Sequence, residues 1–121
     1  MAKSILLVED EKDVRETIRK LLESEGYEVE EARDGFEGLE HLKNRKYNLT
    51  LVDMFMPRMS GREMCELIRK DSKIKNAKFA FLTAAQFSDE GEKELKKLKS
   101  LDYIKKPFDI DDFKKRVKKM A

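Results

Sequence analysis

The sequence predicts an α/β fold: five parallel strands in one sheet, with helices on both faces. Three observations carry that expectation. Short apolar runs alternate with helix-period segments five times along 121 residues. The connections between them are short, as in repeated strand–helix–strand units. Acidic, hydroxyl or lysine residues follow successive apolar runs, which gathers them on the C-terminal rim of a parallel sheet, where open α/β sheets build their sites.

The elements follow in order. Residues 4–8, with Ile5-Leu6-Leu7-Val8, form a short apolar run and read as a buried strand. From about Glu11 to Glu25, Val14, Ile18, Leu21 and Leu22 recur on one helical face. Gly26 then ends that helix as a left-handed cap. Tyr27 to Ala32 is a poorer strand, its charges alternating with Tyr27 and Val29, as suits a place near the sheet edge. Asp34 can cap a second helix and Glu37 can reach back to it, with Phe36, Leu39 and Leu42 expected inside. Asn48 to Asp53 is the third strand. Ser60 and Glu63 repeat the capping pattern, and Met64, Leu67 and Ile68 supply the third helix's buried stripe. Phe79 to Leu82 is the fourth strand, and Ser88 or Asp89 caps a fourth helix with Leu95 and Leu98 inside. Tyr103-Ile104-Lys105 is a short fifth strand stopped by Pro107. Asp109 caps the fifth helix, with Ile110, Phe113, Val117 and Met120 inward.

A chain of this length is expected to be a single domain, 1–121, around one modest core. It shows no internal repeat, linker or low-complexity segment, and no output domain is expected beyond the last helix. Charged residues make up 43% with a net charge of only +2, which argues against a dedicated nucleic-acid binder. The single cysteine, Cys65, excludes an internal disulfide and fits a reducing cytosol. No apolar run approaches the roughly 18 residues of a membrane span, and the chain enters a strand too early for a signal peptide. A cytoplasmic location follows as the expectation. The charge is unevenly spread: residues 91–121 hold 11 Lys/Arg against 6 Asp/Glu. This reads as a solvated helical surface, or more sharply as a docking face for an acidic partner.

The strand ends carry the chemistry. Glu9-Asp10 follows the first strand, Asp53 ends the third, Thr83 follows the fourth and Lys106 the fifth. In the flavodoxin-like order 2-1-3-4-5 the first and third strands are neighbours. Carboxylates converging there repel unless something neutralises them. Oxygen-only ligands favour Mg²⁺ over zinc, and no Cys/His cluster supports a zinc site. Taken alone, Glu9 and Asp10 would be read as a helix start, and Thr83 as a hydroxyl bonding its own backbone. Before Pro107, the Lys106 ammonium becomes a point charge aimed along the rim, able to offset charge on a transferring group. Lys105 beside it points to the opposite side of the strand. The combination suggests metal-assisted phosphoryl chemistry.

Glu9-Asp10, Asp53 with Met56-Pro57 and Gly61, Thr83-Ala84, and Tyr103-Ile104-Lys105-Lys106-Pro107-Phe108 resemble the receiver domain of two-component response regulators. The resemblance covers essentially the whole chain, and is to the free-standing chemotaxis or phosphorelay type. It implies that Asp53 accepts a phosphoryl group from a sensor histidine kinase or a histidine phosphotransfer protein. It implies Mg²⁺ bound by Asp10 and Asp53, with Glu9 acting through water and the backbone carbonyl of Phe55 as a further ligand. Thr83 and Lys106 would hold the phosphoryl oxygens. Phosphorylation would draw Thr83 inward, let Tyr103 swing in from solvent, and reshape the face made by the fourth and fifth helices and the fifth strand for a downstream protein target. The expected protein is a signalling domain rather than an enzyme, a monomer or weak dimer, with no nucleic-acid or membrane partner.

Some positions depart from the family's habit. Phe55 and Ala85 flank the path of the hydrolytic water, where polar side chains are frequent, so self-dephosphorylation is expected to be slow. Thr50 stands where an aliphatic residue is usual, and Lys99 near where a glycine often ends the fourth helix. His41 lies off the apolar stripe of its helix and reads as a surface histidine. Cys65 reads as a small packing residue. Two other functions compete. A haloacid-dehalogenase-like hydrolase working through an aspartyl-phosphate needs a second Asp two residues after the nucleophile, where Phe55 stands. A pseudo-receiver that binds partners without phosphorylation would not need the intact set Asp10, Asp53, Thr83 and Lys106.

Overall fold

The computed structural model describes residues 2–83, 93, 96–106 and 108–121. The elements run β1 (Ser4–Val8), α1 (Lys12–Ser24), β2 (Glu28–Ala32), α2 (Gly35–Asn44), β3 (Leu49–Asp53), α3 (Gly61–Lys70), β4 (Phe79–Thr83), β5 (Tyr103–Lys105) and α4 (Ile110–Met120). All neighbouring strands pair in parallel, in the order β2-β1-β3-β4-β5. This is the flavodoxin-like order expected. Ser88, Asp89 and Leu95 of the helix expected before β5, together with Ala84, Ala85 and Pro107, lie outside the described residues. No helix among the described residues is long and apolar enough to cross a membrane.

Side chains alternate across a strand, so the three central strands feed two cores at once. On one face Leu6, Val8, Val52, Phe79 and Phe81 meet Leu42 of α2 and Met64, Cys65 and Ile68 of α3. On the other Ile5, Leu7, Leu49, Leu51, Ala80 and Leu82 meet Ile18 and Leu22 of α1 and Phe113 and Val117 of α4. β1, β3 and β4 are buried along their whole length, while β2 at the edge is not. That contrast is why the central strands are apolar apart from Thr50 and their end residues, while β2 carries charge.

Helix ends are closed largely as expected. Tyr27 N–H donates to Leu22 O and Gly26 N–H to Glu23 O, with Gly26 at φ 91°, so α1 ends in a Schellman motif. Ser60 and Glu63 form the full capping box of α3. Asp109 caps α4 through Asp112 N–H. Asp34 caps α2 through Glu37 N–H, but the Glu37 carboxylate accepts from Arg33 N–H, one residue before the cap.

Three expected core residues are not inside. Phe36 (55% exposed), Leu67 (45%) and Ile110 (55%) face outward. In α2 the inward positions are Gly35, Gly38 and Leu42, because methionines of the neighbouring loop and helix occupy the space. A Cβ on Gly35 would lie 2.5 Å from Met59 Sδ, and one on Gly38 2.6 Å from Met64 Cε. Phe36, about 100° round the helix from Gly35, is left outside. Leu67 and Ile110 sit likewise beside stripes set by Met64 and Ile68, and by Phe113 and Val117.

Lys99 adopts φ 60°, the left-handed region that glycine favours. Its N–H donates to Lys96 O. A side chain there costs roughly 1 kcal/mol. Lys99→Gly is therefore expected to raise the urea midpoint by the equivalent of about 1 kcal/mol; an unchanged or lower midpoint would contradict the assigned backbone.

Candidate functional site

The site is built at the C-terminal rim from the ends of four strands. β1 and β3 are level, Val8 pairing with Val52, so Glu9 and Asp53 emerge side by side. One carboxylate oxygen each of Glu9, Asp10 and Asp53 falls within 4.8 Å of the others. Lys106 reaches back over this cluster. Its Nζ donates to Glu9 Oε2 at 3.0 Å and lies 3.7 Å from Asp53 Oδ2. The main chain fixes its approach, since Lys106 N–H donates to Thr83 O at 2.7 Å. Thr83 itself is buried at the end of β4. Every rim residue expected from the strand ends thus lies at the same edge.

Two more features define the pocket floor. Phe55 N–H donates to Asp53 Oδ1 at 3.3 Å, and Phe55 is 57% exposed. Gly61, the first residue of α3, presses on Asp53: a Cβ there would stand 2.3 Å from the Asp53 carbonyl oxygen. Tyr103 is half-buried, its ring stacked on Phe81 at 6.1 Å and 2° between planes.

Sequence reasoning missed Arg15. It is buried in α1, and its Nη1 donates to the Glu9 carbonyl at 2.9 Å. A cation thus supports the acidic strand end from beneath. The signal was present: Arg15, Ile18 and Leu22 follow i, i+3, i+7 and share the inward stripe. Stripes traced through apolar residues alone pass over it. His41 sits at the surface with Nδ1 3.4 Å from Glu30, away from the rim. Cys65 is fully buried, and burial pushes its thiol pKa up, which makes it a packing residue.

The electrostatics of the pocket are those of crowded acids. Burial, with the neighbouring Asp53 charge, pushes the Glu9 carboxyl up to about 7 against the lowering effect of Lys106. Between about pH 4.5 and 7 the folded chain therefore keeps a proton that the unfolded chain has lost. Stability falls as pH rises through that window. Urea unfolding in metal-free buffer is expected to show this fall in the wild type and a flatter profile in Glu9→Gln. Equal profiles would remove Glu9 as the cause. The same crowding fits the cluster to a hard divalent cation: its three ligands are all carboxylates, and among the described residues the Lys106 ammonium lies within 4 Å of two of them.

Comparison with known proteins agrees with this geometry. The family described as the response regulator receiver domain matches residues 5–118. The transcriptional regulatory protein CrdR of Helicobacter pylori is 37% identical over 98% of this chain and 55% of its own length. The chain spans about half the length of the curated relatives it matches. Among solved structures, the chemotaxis protein CheY4 of Vibrio cholerae superposes with a TM-score of 0.90 at 28% identity, covering 100% of both chains. The response regulator TrrA of Thermotoga maritima, solved in complex with Mg²⁺-BeF, gives a TM-score of 0.83 at 37% identity over 98% of this chain and 99% of TrrA.

Proposed function

The chain belongs to the response regulator receiver domain family, and from that premise we propose that it is a phosphoacceptor switch centred on Asp53. The observation that carries the reading is the convergence of Glu9, Asp10 and Asp53 under the Lys106 ammonium. The donor is a phosphohistidine on a sensor kinase or phosphotransfer protein. An Asp53 carboxylate oxygen attacks phosphorus, the P–O bond forms as the P–N bond breaks, and the electron pair stays on the ring nitrogen, which leaves as neutral imidazole because the other ring nitrogen of the phosphohistidine carries a proton.

Glu9, Asp10, Asp53 and the Phe55 carbonyl would hold Mg²⁺, which when bound neutralises the carboxylates and the incoming phosphoryl charge. Lys106 exchanges its bond to Glu9 for a phosphoryl oxygen. Thr83, at the neighbouring strand end, donates to another. The new group adds about −1.5 to −2 charge at the rim. That charge pulls on Thr83 and Lys106, whose main chains are bonded to each other, and so acts on β5, Tyr103 and α4 behind it. The output surface is the face of β5 and α4, in the basic stretch 91–121, and its target is a protein. CrdR, a transcriptional regulatory protein, is about twice as long as this chain, and its transcriptional role is not carried over here.

Incubation with acetyl phosphate and Mg²⁺, followed by intact mass, tests the reading. A single phosphoryl adduct, absent in Asp53→Asn and without Mg²⁺, is expected. Turnover with no adduct would point to the hydrolase, and no reaction to a pseudo-receiver. With apolar Phe55 and Ala85 at the two positions that flank the path of the hydrolytic water, neither side chain can orient it, and the adduct should persist for minutes or longer. Decay within seconds in Mg²⁺ would overturn the slow reset.

A further inference from the structure

The loop that follows the phosphoacceptor contains an unusual turn. Arg58 has φ 68°, and Met59 N–H donates to Pro57 O at 2.8 Å. A bond across three residues with a positive central φ is the γ-turn of the strained hand, rare for a residue with a side chain. Such a conformation persists only where its surroundings over-determine it.

The surroundings here are specific. The loop is pinned at its ends by Met54 N–H to Leu82 O and Gly61 N–H to Met54 O, each 2.9 Å. Its middle is held by Arg58, whose Nη2 donates to Asp34 Oδ2 at 2.5 Å. Asp34 is a firm anchor: it is 8% exposed, and its other oxygen accepts from Glu37 N–H to cap α2. The adjacent Arg33 is committed to Glu37, so Arg58 is the ion-pair partner of Asp34 among the described residues. Met59 packs on Gly35 beside the pair. In sheet order β1 lies between β2 and β3. The pair therefore joins the two loops that flank the strand end bearing Glu9 and Asp10.

We propose that Arg58, clamped to Asp34, is a positioning residue for the divalent-cation site: it holds the segment after Asp53 in a strained turn so that Phe55 is presented to the acidic cluster. The inference rests on the Mg²⁺ reading above and deepens it. Oriented support of this kind changes metal affinity without touching the metal.

The test is a Mg²⁺ titration of the full chain followed by amide NMR, with amide hydrogen exchange at Met59 and urea unfolding measured alongside. Arg58→Ala and Asp34→Asn, the second keeping a capping oxygen, are each expected to weaken Mg²⁺ binding about tenfold and to speed Met59 exchange. The double variant should be no worse than either single one, because both remove the same contact. Arg58→Gly relieves the strained φ but removes the clamp, and is also expected to bind Mg²⁺ more weakly. A merely structural pair would lower the urea midpoint and leave Mg²⁺ affinity within about twofold of wild type, which would overturn the proposal. If the wild type bound no Mg²⁺, the metal reading would fail and this proposal with it. Met59 exchange would still show whether the clamp holds the turn.

Discussion

Gly61→Ala is expected to lower folding stability by about 3 kcal/mol, at the upper end for overpacking a buried site, and to slow phosphorylation of Asp53 by more than about tenfold, the effect of a small misplacement at a reacting centre. The added Cβ would meet the Asp53 carbonyl oxygen at 2.3 Å and two further backbone atoms, Asp53 C and Met54 Cα, at 3.0 Å. None of these is the end of a flexible side chain. The first turn of α3 must therefore back away, and it is bonded to the same segment through Gly61 N–H and Met54 O. The displaced atoms belong to the peptide of Asp53, the proposed phosphoacceptor. Gly38→Ala is the control. The nearest contacts of its Cβ are side chains alone, Met64 Cε at 2.6 Å and Val8 Cγ2 at 3.0 Å, with no atom of the Asp53 peptide among them, so a loss of stability with normal phosphorylation is expected. Urea unfolding with acetyl phosphate kinetics reads both. A Gly61→Ala protein as stable and reactive as wild type would refute the close approach.

Arg69→Ala is expected to destabilise by about 3 kcal/mol while leaving Mg²⁺ binding intact. The guanidinium donates to four carbonyls: Leu98 at 2.7 Å, Lys75 at 2.6 Å, Ala77 at 2.8 Å and Lys99 at 3.3 Å. It also lies over the Phe79 ring at 4.3 Å. Hydrogen bonds from a charged donor contribute roughly 1.5–3 kcal/mol each, but bonds sharing one donor do not add. Part of the loss is the orphaning of carbonyls in two segments that enter β4 and β5. Arg69→Lys keeps the charge but not the planar fork, and should recover less than half of the loss. A full recovery would mean that charge alone sufficed.

What was legible follows from what is local or periodic. The strands, their parallel order and the gathering of Glu9, Asp10, Asp53, Thr83 and Lys106 at one rim all follow from runs of residues a few positions long. An apolar run with a polar end places that end at the rim wherever the strand lies in the sheet. The caps at Asp34, Ser60 and Asp109 are equally local. Phe36 was misplaced because apolar character alone cannot say which of two neighbouring positions points inward. That choice was made by Met59 and Met64, whose bulk fits only against Gly35 and Gly38.

The sequence by itself determined the α/β sheet and the set of groups at its edge, because those depend on spacing along the chain. Only the tertiary structure decided how those groups are held. Arg15 lies under the Glu9 carbonyl, Arg58 crosses 24 residues to Asp34, and Arg69 crosses 29 to Leu98. A long cation on a helix or loop can reach many acceptors. Which one it takes depends on the packed distance between elements, and no periodicity along the chain encodes that distance.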